Sequence, residues 1–452
     1  MQEEVIQGLE KFIDESPTAF HAVLRTGQIL EENGFQRLYE DAMWSVVPGG
    51  KYYVVRNDTA IMAFVIPQEK INGFHVFAAH SDSPAFRIKC NPEMKAEGYY
   101  VKLNTEKYGG MIMAPWFDRP LSIAGRVTVK SSDSSKRMAV SSKYGLDNLL
   151  INFDKNMCVI PNVAIHMNRD MNQNLSYKAQ TDMLPLIALQ EVDEKDTFSL
   201  EKTIAQQLEI NQEDILGTEL YVYNREAACK AGMNDELILA PRLDDLECVY
   251  TGIQGLLAAQ PKHHINMLSV FHNEEIGSLT RQGADSTFLK DTLMNIIEAM
   301  NMECFDTASA ADRIPSKEKL FRMLVDNSFM MSADNAHAAH PNHGEKADPT
   351  NRPLLNKGIV LKFHGSQKYA TDSYTEAMVR EIAQIADVPV QTYHNHSDIA
   401  GGSTLGNIAM AQVSIPAADI GLAQLAMHSA CETVRCKDVY YMTDFATAFL
   451  EK

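Results

Sequence analysis

The sequence predicts an α/β protein: a mixed sheet flanked by helices, interrupted by a β-rich insertion. Three observations carry this expectation. From "ELILAPRLDDLECVYTGIQGLLAA" onward, short apolar runs alternate with helical patterns, as repeated βαβ units do. "GFHVFAAHSDSP" is a short apolar run that ends at His80, which suits a buried strand. Between them the texture changes to alternating, strand-like runs. The predicted division is a discontinuous catalytic domain, residues 1–91 and 236–452, with a β-rich unit at 92–235.

Taken in order, residues 2–33 read as two helices separated by "DESP", with Pro17 at the first helical position. "KYYVVRNDTAIMAFVIP" reads as a hairpin turning at Asn57-Asp58. Within the insertion, "YYVKLNTEKYGGMIMAPW", "LSIAGRVTVK" and "RMAVSS" alternate like strands, with the serine-rich turn "SSDSSK" among them. One helical stretch appears there, near "LEKTIAQQLEINQEDIL". No internal repeat is visible.

A chain of 452 residues with 45% hydrophobic and 22% charged residues can bury a sizeable core without help from a disulfide or structural metal. Its formal charge of -18 disfavours nucleic acid and anionic membrane as partners, since both call for a basic face. Any acidic ligand must be selected locally. The seven cysteines show no CxxC spacing and read as reduced thiols, which suits a cytoplasmic protein. "MQEEVIQGLEKFIDESPTAF" has neither the basic nor the apolar region of a signal peptide, and no apolar run reaches membrane-spanning length.

Chemistry collects where the apolar runs stop. "FHVFAA" is followed by His80 and Asp82, and "ELILAPRL" by Asp244 and Asp245. "INMLSVFHN" is followed by Glu274 and Glu275, "FMMSA" by Asp334, and "VSIPAADIGLAQLAM" by His428. His428 precedes "SACE", a capping-box pattern with Ser429 as N-cap and Glu432 three residues on. Open parallel sheets bind ligands beyond the carboxyl ends of their strands, so parallel neighbours would bring these side chains to one crevice. Imidazole and carboxylate without thiolate suit zinc, manganese or cobalt. A two-metal site calls for a bridging ligand. In that scheme His80 and His428 each terminate one metal, Glu275 and Asp334 complete them, and an aspartate of the "LDD" pair bridges. Glu274 is left free to take a proton from water and pass it to a leaving amine. Asp82, two residues after His80, is placed to accept the other N–H of that imidazole.

These residues, in this order, resemble the aspartyl aminopeptidases, a family of two-zinc exopeptidases. The similarity runs over nearly the whole chain, through "SPTAFHAV", "AAHSDSPAFRIK", "GGMIMAPWFDRPLSIAGRV", "APRLDDLECVY", "NEEIGS", "SADNAHAAHPN", "QKYATDS", "GGSTLGNI" and "LAQLAMHSACE". The resemblance implies a phosphorylase/hydrolase-like catalytic domain and a β-rich dimerisation domain. It also implies homodimers assembling into a tetrahedral dodecamer. By position, His80, Asp244, Glu275, Asp334 and His428 match its metal ligands, with Asp244 bridging, and Glu274 its general acid/base. His166 matches a histidine sent into the partner's active site. His337, Lys362 and Tyr369 match the pocket for the substrate's first side chain. Two departures stand out. Asp245 replaces an expected asparagine and reads as a helix cap, and His343 stands where an aromatic is common.

The expected activity is therefore a metal-dependent aminopeptidase that releases N-terminal residues, preferentially Asp or Glu, from peptides. Two divalent ions serve it, zinc before manganese or cobalt. The rival readings are a broader aminopeptidase, a related two-metal deacylase or carboxypeptidase, and a non-catalytic assembly protein.

Overall fold

Every residue of the strand Gly73–His80 is buried, as an apolar run must be in the middle of a sheet covered on both faces. Its side chains alternate between two cores. Phe77 and Ala79 pack beneath helices Gln2–Asp14, Ala19–Glu32, Leu243–Ala258, Ser373–Ile385 and Cys436–Glu451. Phe74, Val76 and Ala78 pack beneath Phe288–Ala299, Lys317–Asp326 and Leu405–Gln412. The result is a three-layer α/β/α arrangement in this computed structural model, which describes residues 2–136, 138–173, 176–190, 198–306 and 315–452.

The central sheet has nine strands and is mixed. Gly73–His80 lies between His264–Phe271 and Phe329–Ala333, parallel to both, and Ala417–Gly421 runs parallel beyond the latter. The register sets Phe271 opposite His80 and Ala333 opposite Ile420. The carboxyl ends of these four strands therefore open on the same edge, where open sheets bind ligands. Antiparallel strands flank them. Lys51–Arg56 and Ala60–Val65 form the expected hairpin, and both turn residues, Asn57 and Asp58, have positive φ, as a tight two-residue turn demands.

A second, seven-stranded sheet is antiparallel and uses strands between residues 85 and 224. Its first strand, Ala85–Ala96, begins ahead of the boundary at 92. Phe86, Trp116, Leu121, Ile123 and Val222 build its own core, onto which helix Leu200–Leu208 packs through Leu200 and Ile204. Arg126 ties the sheets together. It donates to Asp58 at 3.2 Å and to Glu219 at 2.8 Å, and its guanidinium lies over the Phe20 ring.

Several local expectations are corrected. Thr18 is the N-cap of the second helix, so Pro17 precedes that helix instead of opening it. "RMAVSS" yields only the strand Ser141–Lys143, and its Arg137 lies outside the described residues. The strand Leu237–Ala240 is not a neighbour of the parallel strands. It sits in a three-stranded antiparallel sheet with Cys229–Ala231 and Glu432–Arg435. No helix among the described residues is long and apolar enough to cross a membrane, and all seven cysteines are free.

Candidate metal centre

Five chain segments converge at the open edge of the parallel strands. His80 is the last residue of its strand, and Asp334 follows Phe329–Ala333 directly. Glu274 and Glu275 lie on a short 3-10 turn, Glu274–Ile276, three residues beyond His264–Phe271. They are therefore not strand neighbours pointing opposite ways; the turn lets both carboxylates face the crevice. Asp244 and Asp245 sit at the head of Leu243–Ala258 with non-helical backbone angles.

His428 occupies a left-handed turn (φ 65) that leads into the strand Glu432–Arg435. The capping box expected from "SACE" is absent. Glu432 instead turns inward, where it accepts the backbone N–H of Asp244 at 3.0 Å and of His428 at 2.6 Å. One buried carboxylate thus clamps two of the converging segments. Burial, and then the neighbouring Asp244 carboxylate, push the Glu432 carboxyl up to about 8.

Asp244 lies at the middle of the cluster. Its Oδ1 is 3.4 Å from Nε2 of His80, and its Oδ2 is 3.4 Å from Nε2 of His428, which also stands 3.3 Å from Oε1 of Glu275. Ligand atoms fall into groups lying within 4.8 Å of one another: His80 with Asp244, Asp245 and Asp334; His80 with Glu274 and Glu275; and Asp244 with Glu275 and His428. Buried oxygens of Asp244 (Oδ1), Asp245 (Oδ1) and Glu275 (Oε1) have no hydrogen-bond donor. So many acceptors without donors, facing two imidazoles, fit divalent cations of the zinc type.

The electrostatics of the bare side chains agree. Burial opposes the charged imidazole of His428, yet Asp244 and Glu275 hold it up to about 11. Burial likewise lifts the Glu275 carboxyl to about 7 and raises those of Glu274 and Asp334.

Asp82 stands behind this cluster, 3% exposed. Its carboxylate is not the imidazole's hydrogen-bond acceptor: Nδ1 of His80 is 3.0 Å from the Asp82 backbone carbonyl and 3.6 Å from Oδ1. The carboxylate instead accepts the N–H of Glu274 on Oδ1 and the N–H of Glu275 on Oδ2, each at 3.2 Å, together with the Tyr108 hydroxyl at 2.7 Å. It thereby anchors the two-glutamate turn. Asp245 stands at the kink where the regular helix begins, but its carboxylate does not take the helix N–H groups as a cap would. Its Oδ2 accepts the N–H of His80 at 3.1 Å, and its side chain belongs to the ligand group.

Lys362 is 2% exposed, and its ammonium is fully engaged. It donates to the carbonyls of Asp334 at 2.7 Å and Asn335 at 3.2 Å and lies 3.4 Å from Oδ2 of Asp334. It also lies 5.3 Å from the centre of the Tyr369 ring. Tyr369 packs with Tyr393, whose ring is 6.1 Å from that of the exposed His337. His166 is not brought into this crevice; it lies exposed on a turn of the insertion. His343 is exposed and pairs with Glu345. Sequence reasoning missed Tyr108, Asn273 and Glu432. Only the last had a signal, and that signal read as a helix start.

Residues 12–450 match the family model described as aminopeptidase I zinc metalloprotease (M18). A relative from Clostridium novyi, called a probable M18 family aminopeptidase 2, is 43% identical over 433 residues, which is 95% of this chain and 94% of the relative. Among solved structures, one of the Ape4 and Nbr1 complex superposes with a TM-score of 0.90 at 32% identity, covering 100% of this chain and 86% of that one. The mApe1 dodecamer of S. cerevisiae shares the fold at a TM-score of 0.82 and 24% identity, covering 100% and 97%.

Proposed function

The chain belongs to the M18 family of zinc metalloproteases, and from that premise we propose that it removes single N-terminal residues from peptides, preferring Asp or Glu, at a centre holding two divalent cations. The observation that carries this reading is Asp244, whose two oxygens each face a different histidine at 3.4 Å. One ligand group comprises His80, Asp244, Asp245 and Asp334, and another Asp244, Glu275 and His428. When bound, such cations supply Lewis acidity and bring the pKa of coordinated water toward neutrality.

The chain's own residues do the rest. Nδ1 of His80 meets the Asp82 carbonyl, which leaves Nε2 toward the cluster. Glu274 is held by its backbone N–H on Asp82 while its carboxyl stays free to take a proton from water and return it to the leaving amine. Lys362 supplies the local positive charge that the acidic bulk composition lacks. Its donors are already committed, so it favours an anionic first side chain through its field and makes the preference a ratio of rates.

Assembly is part of the same reading, with residues 92–235 forming a homodimer that builds a tetrahedral dodecamer. The exposed loop around His166 supports it. Val163, Ile165 and Met167 are 51%, 44% and 82% exposed, an apolar row that a second copy would cover as His166 enters its site. Mass photometry then finds a particle about twelve times the 50.4 kDa chain; a monomer at working concentration overturns the assembly.

The function is tested by initial rates on matched peptides beginning with Asp, Glu, Leu and Lys, after reloading with zinc, manganese or cobalt. An excess for Asp and Glu is expected, together with two bound ions per chain. Equal rates on Leu remove the acidic preference, and a requirement for a blocked α-amine turns the assignment to a deacylase.

A further inference from the structure

The inserted sheet does more than support assembly: it reaches the catalytic centre of its own chain. Tyr108 is the last residue of the strand Tyr100–Tyr108 in the seven-stranded sheet. Its ring packs edge-on against Tyr221 at 5.5 Å. Beyond it, a Cβ on Gly109 would lie 3.1 Å from Cβ of Glu275. The N–H of Ile112 donates to the carbonyl of His428 at 3.0 Å. The segment 108–112 therefore lies against Asp82, Glu275 and His428 together.

The direction of the hydrogen bonds is set by the Asp82 carboxylate, which only accepts and already takes two backbone N–H groups. Thr280 Oγ1 and Gln282 Nε2 both donate to Oδ1 of Asn273, at 2.8 and 3.0 Å. Nδ2 of Asn273 faces the Tyr108 hydroxyl, at 2.8 Å. With one lone pair so occupied, the single phenolic proton is directed at Oδ2 of Asp82, 2.7 Å away. Asp82 in turn holds the N–H groups of Glu274 and Glu275. A polar chain thus runs from the loop 280–282 through Asn273 and Tyr108 to the two-glutamate turn. The links from Asn273 through Tyr108 to Asp82 each pair a donor with an acceptor, and buried chains of this kind fix geometry.

We propose that Tyr108 is a positioning residue for peptide hydrolysis: its hydroxyl, oriented by Asn273, orients Asp82 and so holds Glu274 and Glu275 in working geometry. The proposal rests on the function above for the reaction whose rate is read, but not for the hydrogen bonds themselves.

The test is Tyr108→Phe, which keeps the packed ring and removes only the hydroxyl. Outer partners of metal ligands typically change affinity or activity roughly 10- to 100-fold. The expected result is a kcat lowered by that factor at full zinc loading, with KM within about twofold. Zinc affinity, read by chelator competition, falls in parallel. Asn273→Gly keeps the left-handed backbone (φ 62) and removes the amide, so it reproduces the same split. The double variant is no worse than the more impaired single one, because both act through one hydrogen bond. Wild-type kcat and zinc affinity in Tyr108→Phe overturn the proposal. So does a kcat loss matched by the fraction of unfolded protein, or a strictly additive double variant. If wild-type protein hydrolyses no peptide, the proposed function fails, and the zinc affinities alone decide the role of Tyr108.

Discussion

Replacing Asp82 by asparagine removes acceptor capacity from the site while keeping the side chain's size. In the native protein Oδ1 takes one backbone donor and Oδ2 takes a backbone donor and a phenol. Asparagine has a single acceptor oxygen. It settles where two donors converge, which leaves its NH2 group against the N–H of Glu274. A hydrogen bond to a charged acceptor contributes about 1.5 to 3 kcal/mol, and a buried donor left unpaired costs about 1 to 3 kcal/mol. The two losses overlap, so the turn is destabilised by about 2 to 4 kcal/mol. At about 1.36 kcal/mol per factor of ten, kcat/KM falls roughly 30- to 900-fold. The assay is hydrolysis of an Asp-initiated peptide at saturating zinc, with metal content measured on the same sample. An Asp82→Asn enzyme within threefold of wild type at full zinc loading would refute the reasoning.

Gly109→Ala introduces a side chain at a left-handed position (φ +76), with its Cβ 3.1 Å from that of Glu275. We expect kcat/KM to fall by about tenfold, from a strain of about 1 to 2 kcal/mol placed against Glu275; unchanged kinetics would show that this contact relaxes freely. Glu274→Gln should keep its zinc and lose most activity. Mixed with His166→Ala under exchanging conditions it should recover part of that activity, because one mixed site is intact; no recovery removes His166 from the partner's site. His75, 6% exposed and stacked on His264 at 3.9 Å, is held down to about 3 by burial and then by His264. Its folded value lies below the unfolded 6.5, so the unfolded chain binds the proton more readily and stability falls as pH drops from 6.5 toward 3. That amounts to about 2 kcal/mol between pH 7 and pH 5. His75→Phe should therefore show a smaller drop in Tm over that interval than wild type; an equal drop places the acid sensitivity elsewhere.

Which parts of this architecture can be read from the chain depends on whether the determinant is local. Apolar runs such as "FHVFAA" and "FMMSA" mark strand ends because a buried strand stops where polarity begins, and His80 and Asp334 follow from that. The Asn57-Asp58 turn is legible because both residues tolerate positive φ. "ELILA" is equally apolar, but periodicity names a face and not a partner, so its place beside Glu432–Arg435 was hidden. Glu432 shows why the capping box misled: the same Ser-to-Glu spacing serves a carboxylate that binds backbone N–H groups of its own and of a distant segment. Asp245 misled in the same way, as an acid near a helix start whose acceptor turns to His80. Tyr108 was unreadable, since nothing in a strand of the insertion announces that its last hydroxyl meets Asp82 across sheets.

The strand order also sets a timetable for synthesis. Gly73–His80 pairs with His264–Phe271 and Phe329–Ala333, both encoded far downstream. The intervening sheet can fold as it emerges, but the FHVFAA strand has no neighbour until residue 264 has been made. At about 5 to 20 residues per second that wait is roughly 10 to 40 s. Throughout it, an eight-residue apolar strand with two open edges stands exposed. The segment that later carries His80 is thus exposed to misassociation while the chain is made, and the peptide-cleaving centre cannot form until His428 has emerged.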